Sequence, residues 1–118
     1  DGDGAALMHM GSMATPASIG PSNYLHIVIN NGAHDSVGGQ PTVGRQLGFA
    51  AIATANGYVE ADSVETLDQL NDVLEARFAG RGPSLIEIKV RSGARADLGR
   101  PTATPIENKN IFMKNARK

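Results

Sequence analysis

A short apolar run that ends abruptly in two asparagines constrains this chain more than any other feature. The run, residues 24–29, is rich in branched side chains, which is typical of a strand buried on both faces of a parallel sheet. Asn30 and Asn31 therefore follow the carboxyl end of that strand, where open α/β sheets usually bind ligands. The run predicts an α/β domain with a ligand site at this edge of the sheet.

Alternating strand and helix patterns extend this prediction along the chain. Further strands are predicted over residues 58–61 and 84–90, and helices over residues 5–14, 45–56, a segment after Ser63, and from Pro105 to about Lys114. Gly57 favours a left-handed cap, Ser63 is expected to cap the helix after it, and Thr104 with Glu107 fits a capping box. The alternation predicts a three-layer αβα domain with a mainly parallel sheet.

The pattern fades after Arg91 into a polar tail. We expect residues 1–91 to form the α/β domain. We expect residues 92–118 to form a tail with a short helix that belongs to the same domain or packs on a partner. The chain opens on Gly2-Asp3-Gly4 with no strand before it, so we expect a C-terminal piece that lacks the first strand of its fold. A short protein with a flexible start is the alternative.

Composition narrows the function classes. A net charge of −1 gives no general reason to expect nucleic acid or a membrane surface as a partner. No apolar run approaches the roughly 20 residues of a membrane span. The chain has no cysteine, which excludes disulfides and thiolate metal sites and is compatible with a reducing compartment. We expect a cytoplasmic location.

Asp3 and Asn31 offer a carboxylate and an amide oxygen, which are the hard donors that suit Mg²⁺. The glycines beside Asp3 let backbone N–H groups approach a phosphate closely, and a helix that starts at Ala5 would direct its positive end at that anion. The residues alone thus suggest a diphosphate site bridged by Mg²⁺. The alternatives are a turn or N-cap aspartate and a strand-ending turn asparagine.

Gly2-Asp3-Gly4, then 25 residues, then Asn30-Asn31 resembles the cofactor motif of thiamine diphosphate-dependent enzymes. The continuation through residue 42, NNGAHDSVGGQPT, is most similar to the decarboxylases of this family that act on phosphonopyruvate, with those that act on sulfopyruvate second. The resemblance continues into residues 98–102 and 107–109 and so covers nearly all of the chain.

The resemblance implies thiamine diphosphate and Mg²⁺ as cofactors. It also implies that Asp3, Asn31 and the backbone carbonyl of Ala33 bind the metal, with diphosphate and water oxygens completing the coordination shell. The cofactor-binding set that it implies is Gly2, Asp3, Gly4, Ala5, Asn31, Ala33 and His34. Two interpretations of His34 stay open: an imidazole that contacts cofactor or substrate and takes part in catalysis, or a loop histidine bonded to backbone.

For the complete enzyme, the resemblance implies a carboxy-lyase that converts 3-phosphonopyruvate to phosphonoacetaldehyde and CO₂, for phosphonate biosynthesis. A sulfopyruvate decarboxylase β subunit and a non-catalytic cofactor-binding module are the alternatives. In the family, the carboxylate that activates the cofactor comes from a separate pyrimidine-binding domain, and the chain has no match for it. We therefore expect the chain to be inactive alone, to share a 2-oxo acid site with a pyrimidine-binding domain of the same or another chain, and to form a homo-oligomer.

Overall fold

The computed structural model describes residues 1–116. Their helices are α1 (Asp3–Met8), α2 (Ala14–Ile19), α3 (Phe49–Asn56), α4 (Leu67–Ala79) and α5 (Pro105–Ala116). Their strands are β1 (Leu25–Asn30), β2 (Ala33–His34), β3 (Gln40–Pro41), β4 (Glu60–Val64) and β5 (Ser84–Lys89). Short 3₁₀ turns cover Met10–Met13, Asp35–Val37 and Gly44–Gln46.

The main sheet is parallel, with the strand order β1-β5-β4. Val28 on β1 lies opposite Glu87 on β5, and Glu60 on β4 lies opposite Ser84. Strands β2 and β3 form a separate antiparallel hairpin that the sequence did not predict. The predicted α/β fold, a parallel sheet flanked by helices, is confirmed.

The hydrophobic core lies between the sheet and the helices α1 and α3. Val28, Phe49, Ala53 and Leu85 are fully buried. Ala6 from α1 packs in the same cluster. Because α1 contributes to this core, the residues at its start are held against the end of β1.

The helix predicted over residues 5–14 is wrong in its bounds. Helix α1 ends at Met8, a 3₁₀ turn follows, and α2 runs on to Ile19. Pro16 was expected to end the helix, but it lies in the first turn of α2, where the missing N–H would have no intrahelical partner anyway. Gly20 ends α2 in the left-handed conformation, with φ of 66°.

The predicted cap at Ser63 is also wrong. Ser63 lies within β4, whereas Thr66 caps α4 in a capping box with Gln69. The helix predicted over residues 45–56 begins only at Phe49. The left-handed cap at Gly57 is confirmed, with φ of 102° and the N–H of Tyr58 donating to the carbonyl of Ala53.

Residues 1 and 2 lie along the outer side of β1. The N–H of Ile29 donates to the carbonyl of Asp1 at 2.8 Å, and Gly2 forms a parallel bridge with Ile29. The sequence predicted a strand buried on both faces, but Ile29 in this strand is 41% exposed. The pairing brings the start of α1 beside the end of β1, so that Asp3 and Asn30 meet at the same edge.

The tail leaves the sheet after β5. Helix α5 has the predicted capping box, since the Thr104 N–H and hydroxyl donate to Glu107 and the Glu107 N–H donates to the Thr104 hydroxyl. The assignment of residues 92–118 to the same domain or to a partner contact stays a prediction. No helix within residues 1–116 combines the length and the apolar character needed to cross a membrane.

Candidate functional site

A cleft of about 360 Å³ opens at the carboxyl end of β1. Helix α1, the end of β1, the hairpin strand β2 and the turn after it form its walls. The lining residues are Gly2, Asp3, Gly4, Ala5, Met8, Ile29, Asn31, Ala33, His34, Asp35, Ser36 and Val37. All seven residues predicted for the cofactor site lie in this one cleft.

Asp3 is the first residue of α1 and is 1% exposed. Its Oδ2 accepts a hydrogen bond from the hydroxyl of Thr42. Its Oδ1 is buried and has no hydrogen-bond partner within residues 1–116. A buried carboxylate oxygen without a partner is costly, so this atom marks the place where a cation would be stabilised.

Asn30 is fully buried beside Asp3. Its amide donates to the carbonyl of Gly44 at 2.9 Å and to Glu87 Oε1 at 2.6 Å. Its Oδ1 also lacks a hydrogen-bond partner within the described residues. Both amide protons of Asn30 are therefore committed to the protein, and its oxygen faces the region around Asp3.

Asn31 differs from Asn30 in burial and partners. It is half-buried, its Oδ1 accepts the N–H of Ala33 at 3.1 Å, and its amide donates to Asp35 Oδ2 at 2.8 Å. The contact with Asp35 fixes which side of the amide carries the oxygen. An amide oxygen has two lone pairs, so Oδ1 keeps one for a metal.

The hairpin sets the direction of the Ala33 carbonyl. The Thr42 N–H donates to the Gly32 carbonyl at 2.9 Å. Ala33 and Pro41, the next pair along, are therefore the non-hydrogen-bonded pair of this antiparallel ladder. The backbone groups of Ala33 consequently point away from β3, and its N–H already reaches Asn31.

His34 packs directly over Gly4. A Cβ atom on Gly4 would overlap Nδ1 and Cε1 of the His34 ring. Gly4 therefore makes room for the imidazole, which is half-buried and lines the cleft. This placement is compatible with contact to cofactor or substrate, and the loop-histidine interpretation also stays open.

The first turn of α1 supplies free backbone donors. Its first intrahelical hydrogen bond runs from the Ala6 N–H to the Gly2 carbonyl at 3.0 Å. The N–H groups of Gly4 and Ala5 precede that bond and have no carbonyl to accept them within the helix. Both residues line the cleft, so these donors are placed for an anion.

Residues 1–116 contain no group of three His, Cys, Asp or Glu side chains that could hold a metal ion. A metal beside Asp3 would instead depend on the carboxylate of that residue together with amide and backbone oxygens. That donor set is all oxygen, which suits Mg²⁺ with substrate or cofactor phosphates completing the shell.

Sequence reasoning missed three residues around Asp3 and Asn30: Thr42, Gly44 and Glu87. Gly44 lies so close to Asp3 that an added Cβ would overlap Oδ2 and would lie 3.0 Å from Asn30 Oδ1. Thr42 and Gly44 gave no signal within a loop of glycine and polar residues. Glu87 did give one, since it is a carboxylate between two isoleucines in a predicted strand; the structure shows it 1% exposed.

Several other basic residues lie outside the cleft. Arg45 donates to the Val90 carbonyl, and Arg95 pairs with Asp97 at 3.3 Å. His26 lies on β1, where burial lowers its pKa.

Known proteins resemble the chain over most of its length. Residues 1–88 match the family described as thiamine pyrophosphate enzyme, C-terminal TPP binding domain. A phosphonopyruvate decarboxylase of Streptomyces hygroscopicus is 44% identical over 98% of this chain and 29% of its own length. A phosphonopyruvate decarboxylase of Streptomyces viridochromogenes is 43% identical over 91% of this chain and 27% of its own length.

A more distant relative is the sulfopyruvate decarboxylase subunit beta of Methanococcus maripaludis. It is 30% identical over 100% of this chain and 63% of its own length. The chain thus spans less than a third of the two Streptomyces relatives.

Proposed function

The chain belongs to the family of thiamine pyrophosphate enzymes, as a C-terminal TPP binding domain, and from this premise we propose a decarboxylase function for the whole protein. The reaction is the conversion of 3-phosphonopyruvate to phosphonoacetaldehyde and CO₂. This chain contributes the part of the active site that holds the diphosphate and Mg²⁺. The observation that carries the proposal is the cleft that all seven predicted cofactor residues line, among them Asp3, whose buried Oδ1 has no hydrogen-bond partner within residues 1–116.

The donor set fits a magnesium ion. Asp3 supplies one charged oxygen, Asn31 supplies an amide oxygen, and the Ala33 carbonyl points away from β3. Mg²⁺ usually takes few protein ligands and fills its shell with phosphate oxygens and water. Three protein oxygens therefore suffice for a metal shared with a diphosphate.

The diphosphate itself would be held by backbone donors. Gly4 and Ala5 line the cleft, and their N–H groups have no intrahelical partners. Ala5 carries no hydroxyl, so binding at this point relies on amides. When bound, thiamine diphosphate supplies the electron sink for decarboxylation of a 2-oxo acid, and this chain orients it.

The substrate side of the cleft lies beyond the metal ligands. His34, Ser36 and Val37 line it on the hairpin side. We assign His34 a contact with cofactor or substrate, since its ring lies over Gly4 next to the free amides of α1. A carboxylate to activate the cofactor comes from a pyrimidine-binding domain of the same or another chain, in a homo-oligomer in the cytoplasm.

The test is Mg²⁺-dependent binding of thiamine diphosphate to the intact protein by isothermal titration calorimetry. We expect binding with Mg²⁺, none with EDTA, and a large loss for Asp3→Ala. Asp35→Ala removes the partner that orients the Asn31 amide, together with the acceptor of the Gly93 N–H, and should weaken binding less than Asp3→Ala. Unchanged affinity for Asp3→Ala would refute the metal-binding role of Asp3. No binding with the pyrimidine-binding domain present would overturn the proposed function.

The substrate follows from the stronger resemblance. Identity to the two phosphonopyruvate decarboxylases is 43–44%, against 30% to the sulfopyruvate decarboxylase subunit. Sulfopyruvate decarboxylation is kept as the second candidate because that relative aligns with the entire chain. Assays of the intact protein with both 2-oxo acids decide, and faster turnover of sulfopyruvate would overturn the first choice.

A further inference from the structure

A continuous series of hydrogen bonds surrounds Asp3 beneath the cleft. It starts at Glu87 on β5, passes through Asn30 at the end of β1 and through Gly44, and ends at Thr42, whose hydroxyl reaches Asp3. Glu87, Asn30, Gly44 and Asp3 are all buried. The contact between Gly44 and Thr42 is local, but the other three join residues 14, 39 and 57 positions apart, so tertiary packing assembles most of the series.

The two ends of the series fix its direction. Ionised carboxylates only accept hydrogen bonds, and Glu87 and Asp3 lie at opposite ends. Glu87 accepts from the Asn30 amide at 2.6 Å, and the same amide donates its other proton to the Gly44 carbonyl at 2.9 Å. Asn30 therefore cannot turn its amide over without placing its oxygen against the carboxylate of Glu87.

The hydroxyl of Thr42 is directed in the same way. Its Oγ1 accepts the Gly44 N–H at 3.1 Å, and its own proton goes to Asp3 Oδ2. This commits Oδ2 to the protein and leaves Oδ1 as the oxygen without a partner. The orientation of the Asp3 carboxylate is thus decided outside the cleft.

We propose that Thr42 is a positioning residue for Asp3, and that Glu87 and Asn30 hold Thr42 in place through Gly44. The inference rests on the proposed function, in which Asp3 binds the metal. Thr42 does not touch metal or cofactor. It acts by presenting one carboxylate oxygen to the ion and withholding the other.

The physical reason is preorganisation. A carboxylate with both oxygens free can rotate about its Cβ–Cγ bond, and part of the metal's binding energy is then spent on ordering it. Partners behind a metal ligand remove that freedom, and their loss typically weakens metal affinity by roughly 10- to 100-fold. The same loss is expected when the hydroxyl of Thr42 is removed.

The experiment uses the intact protein with Mn²⁺ as the metal probe and thiamine diphosphate as the cofactor. Free Mn²⁺ is followed by electron paramagnetic resonance, which reports bound metal without reference to turnover. We expect Thr42→Val, which keeps the shape and loses the hydroxyl, to bind Mn²⁺ roughly 10- to 100-fold more weakly. We expect Thr42→Ser, which keeps the hydroxyl, to bind close to wild type.

Thr54→Val is the matched control. Thr54 is exposed on α3 and donates only to the Ala50 carbonyl of its own helix, at 3.0 Å. Its Mn²⁺ affinity should equal that of the wild type. Equal affinity of Thr42→Val and wild type would overturn the inference, and so would an equal loss in Thr42→Val and Thr42→Ser.

Glu87 supplies a second, independent pair of variants if Thr42→Val does not fold. Glu87→Gln keeps an acceptor oxygen for Asn30 and should bind Mn²⁺ nearly as well as wild type, whereas Glu87→Met removes it and should bind more weakly. Equal Mn²⁺ affinity of Glu87→Gln and Glu87→Met would overturn the inference. Failure of the wild type itself to bind Mn²⁺ with thiamine diphosphate refutes the proposed function instead.

Discussion

Gly44→Ala should weaken metal binding although it substitutes no residue that lines the cleft. The new Cβ would overlap Asp3 Oδ2, and would lie 2.9 Å from Asp3 Cβ and 3.0 Å from Asn30 Oδ1. Neither neighbour can yield easily, since Asp3 is 1% and Asn30 0% exposed and both are hydrogen-bonded. Asp3 must therefore move away from Thr42.

The magnitude follows from the contact that is lost. A hydrogen bond to a charged group contributes about 1.5–3 kcal/mol. The displaced Asp3 loses that hydrogen bond and must return to its original position to bind the metal. The free energy of this return lowers the affinity for the metal. At about 1.4 kcal/mol per factor of ten, metal-dependent cofactor binding should weaken roughly 10- to 100-fold.

Isothermal titration of thiamine diphosphate in the presence of Mg²⁺ measures this loss. Gly11→Ala is the matched control, because a Cβ there meets nothing within 4 Å and the residue is exposed. Its affinity should equal that of the wild type. Wild-type affinity in Gly44→Ala, with Asp3 still bonded to Thr42 in a crystal structure, would refute the reasoning.

Three further predictions concern packing and capping. Phe49→Ala empties a fully buried position in the core and should lower the free energy of unfolding by about 3–5 kcal/mol, measured by urea denaturation. Thr66→Ala removes the capping box of α4 and should cost about 1 kcal/mol in the same assay, whereas Thr66→Ser should not. Hydrogen bonds from Thr104 lower the pKa of Glu107 below 4.5. Their stabilisation of α5 is therefore present above that ordinary value and lost as the pH falls through the lowered one, which a nuclear magnetic resonance titration of the Glu107 amide would show; an unshifted midpoint contradicts it.

The sequence alone identified the residues whose chemistry is local. Asp3 and Asn31 were predicted as metal ligands because a carboxylate and an amide oxygen, each next to a glycine, are recognisable hard donors, and this assignment stays a prediction. Glu87 and Thr42 were not identified, because their contacts join residues 57 and 39 positions apart. Only the packing of β5 against β1 and the path of the loop bring them together.

The wrong helix cap shows the same limit. Ser63 and Thr66 are both hydroxyl residues ahead of the same helix, and propensity does not separate them. The pairing of β4 with β5 does, since Ser63 lies opposite Glu87 within the ladder and is committed to the strand. The cap at Gly57 and the capping box at Thr104 followed from the sequence because each depends on a short local pattern, and the parallel sheet followed from the alternation of strands and helices along the chain.

Asp35 joins the cleft to the tail through one atom. Its Oδ2 accepts both the Asn31 amide at 2.8 Å and the Gly93 N–H at 2.8 Å. Metal binding at Asn31 and the ordering of the tail therefore both depend on the same acceptor oxygen. Thermodynamic linkage makes the coupling between them reciprocal. A contact that immobilised residues 92–116 would raise the affinity for metal and cofactor, and metal with cofactor would slow hydrogen exchange at Gly93 by the same factor. Hydrogen exchange in the tail would then indicate whether metal and cofactor are bound.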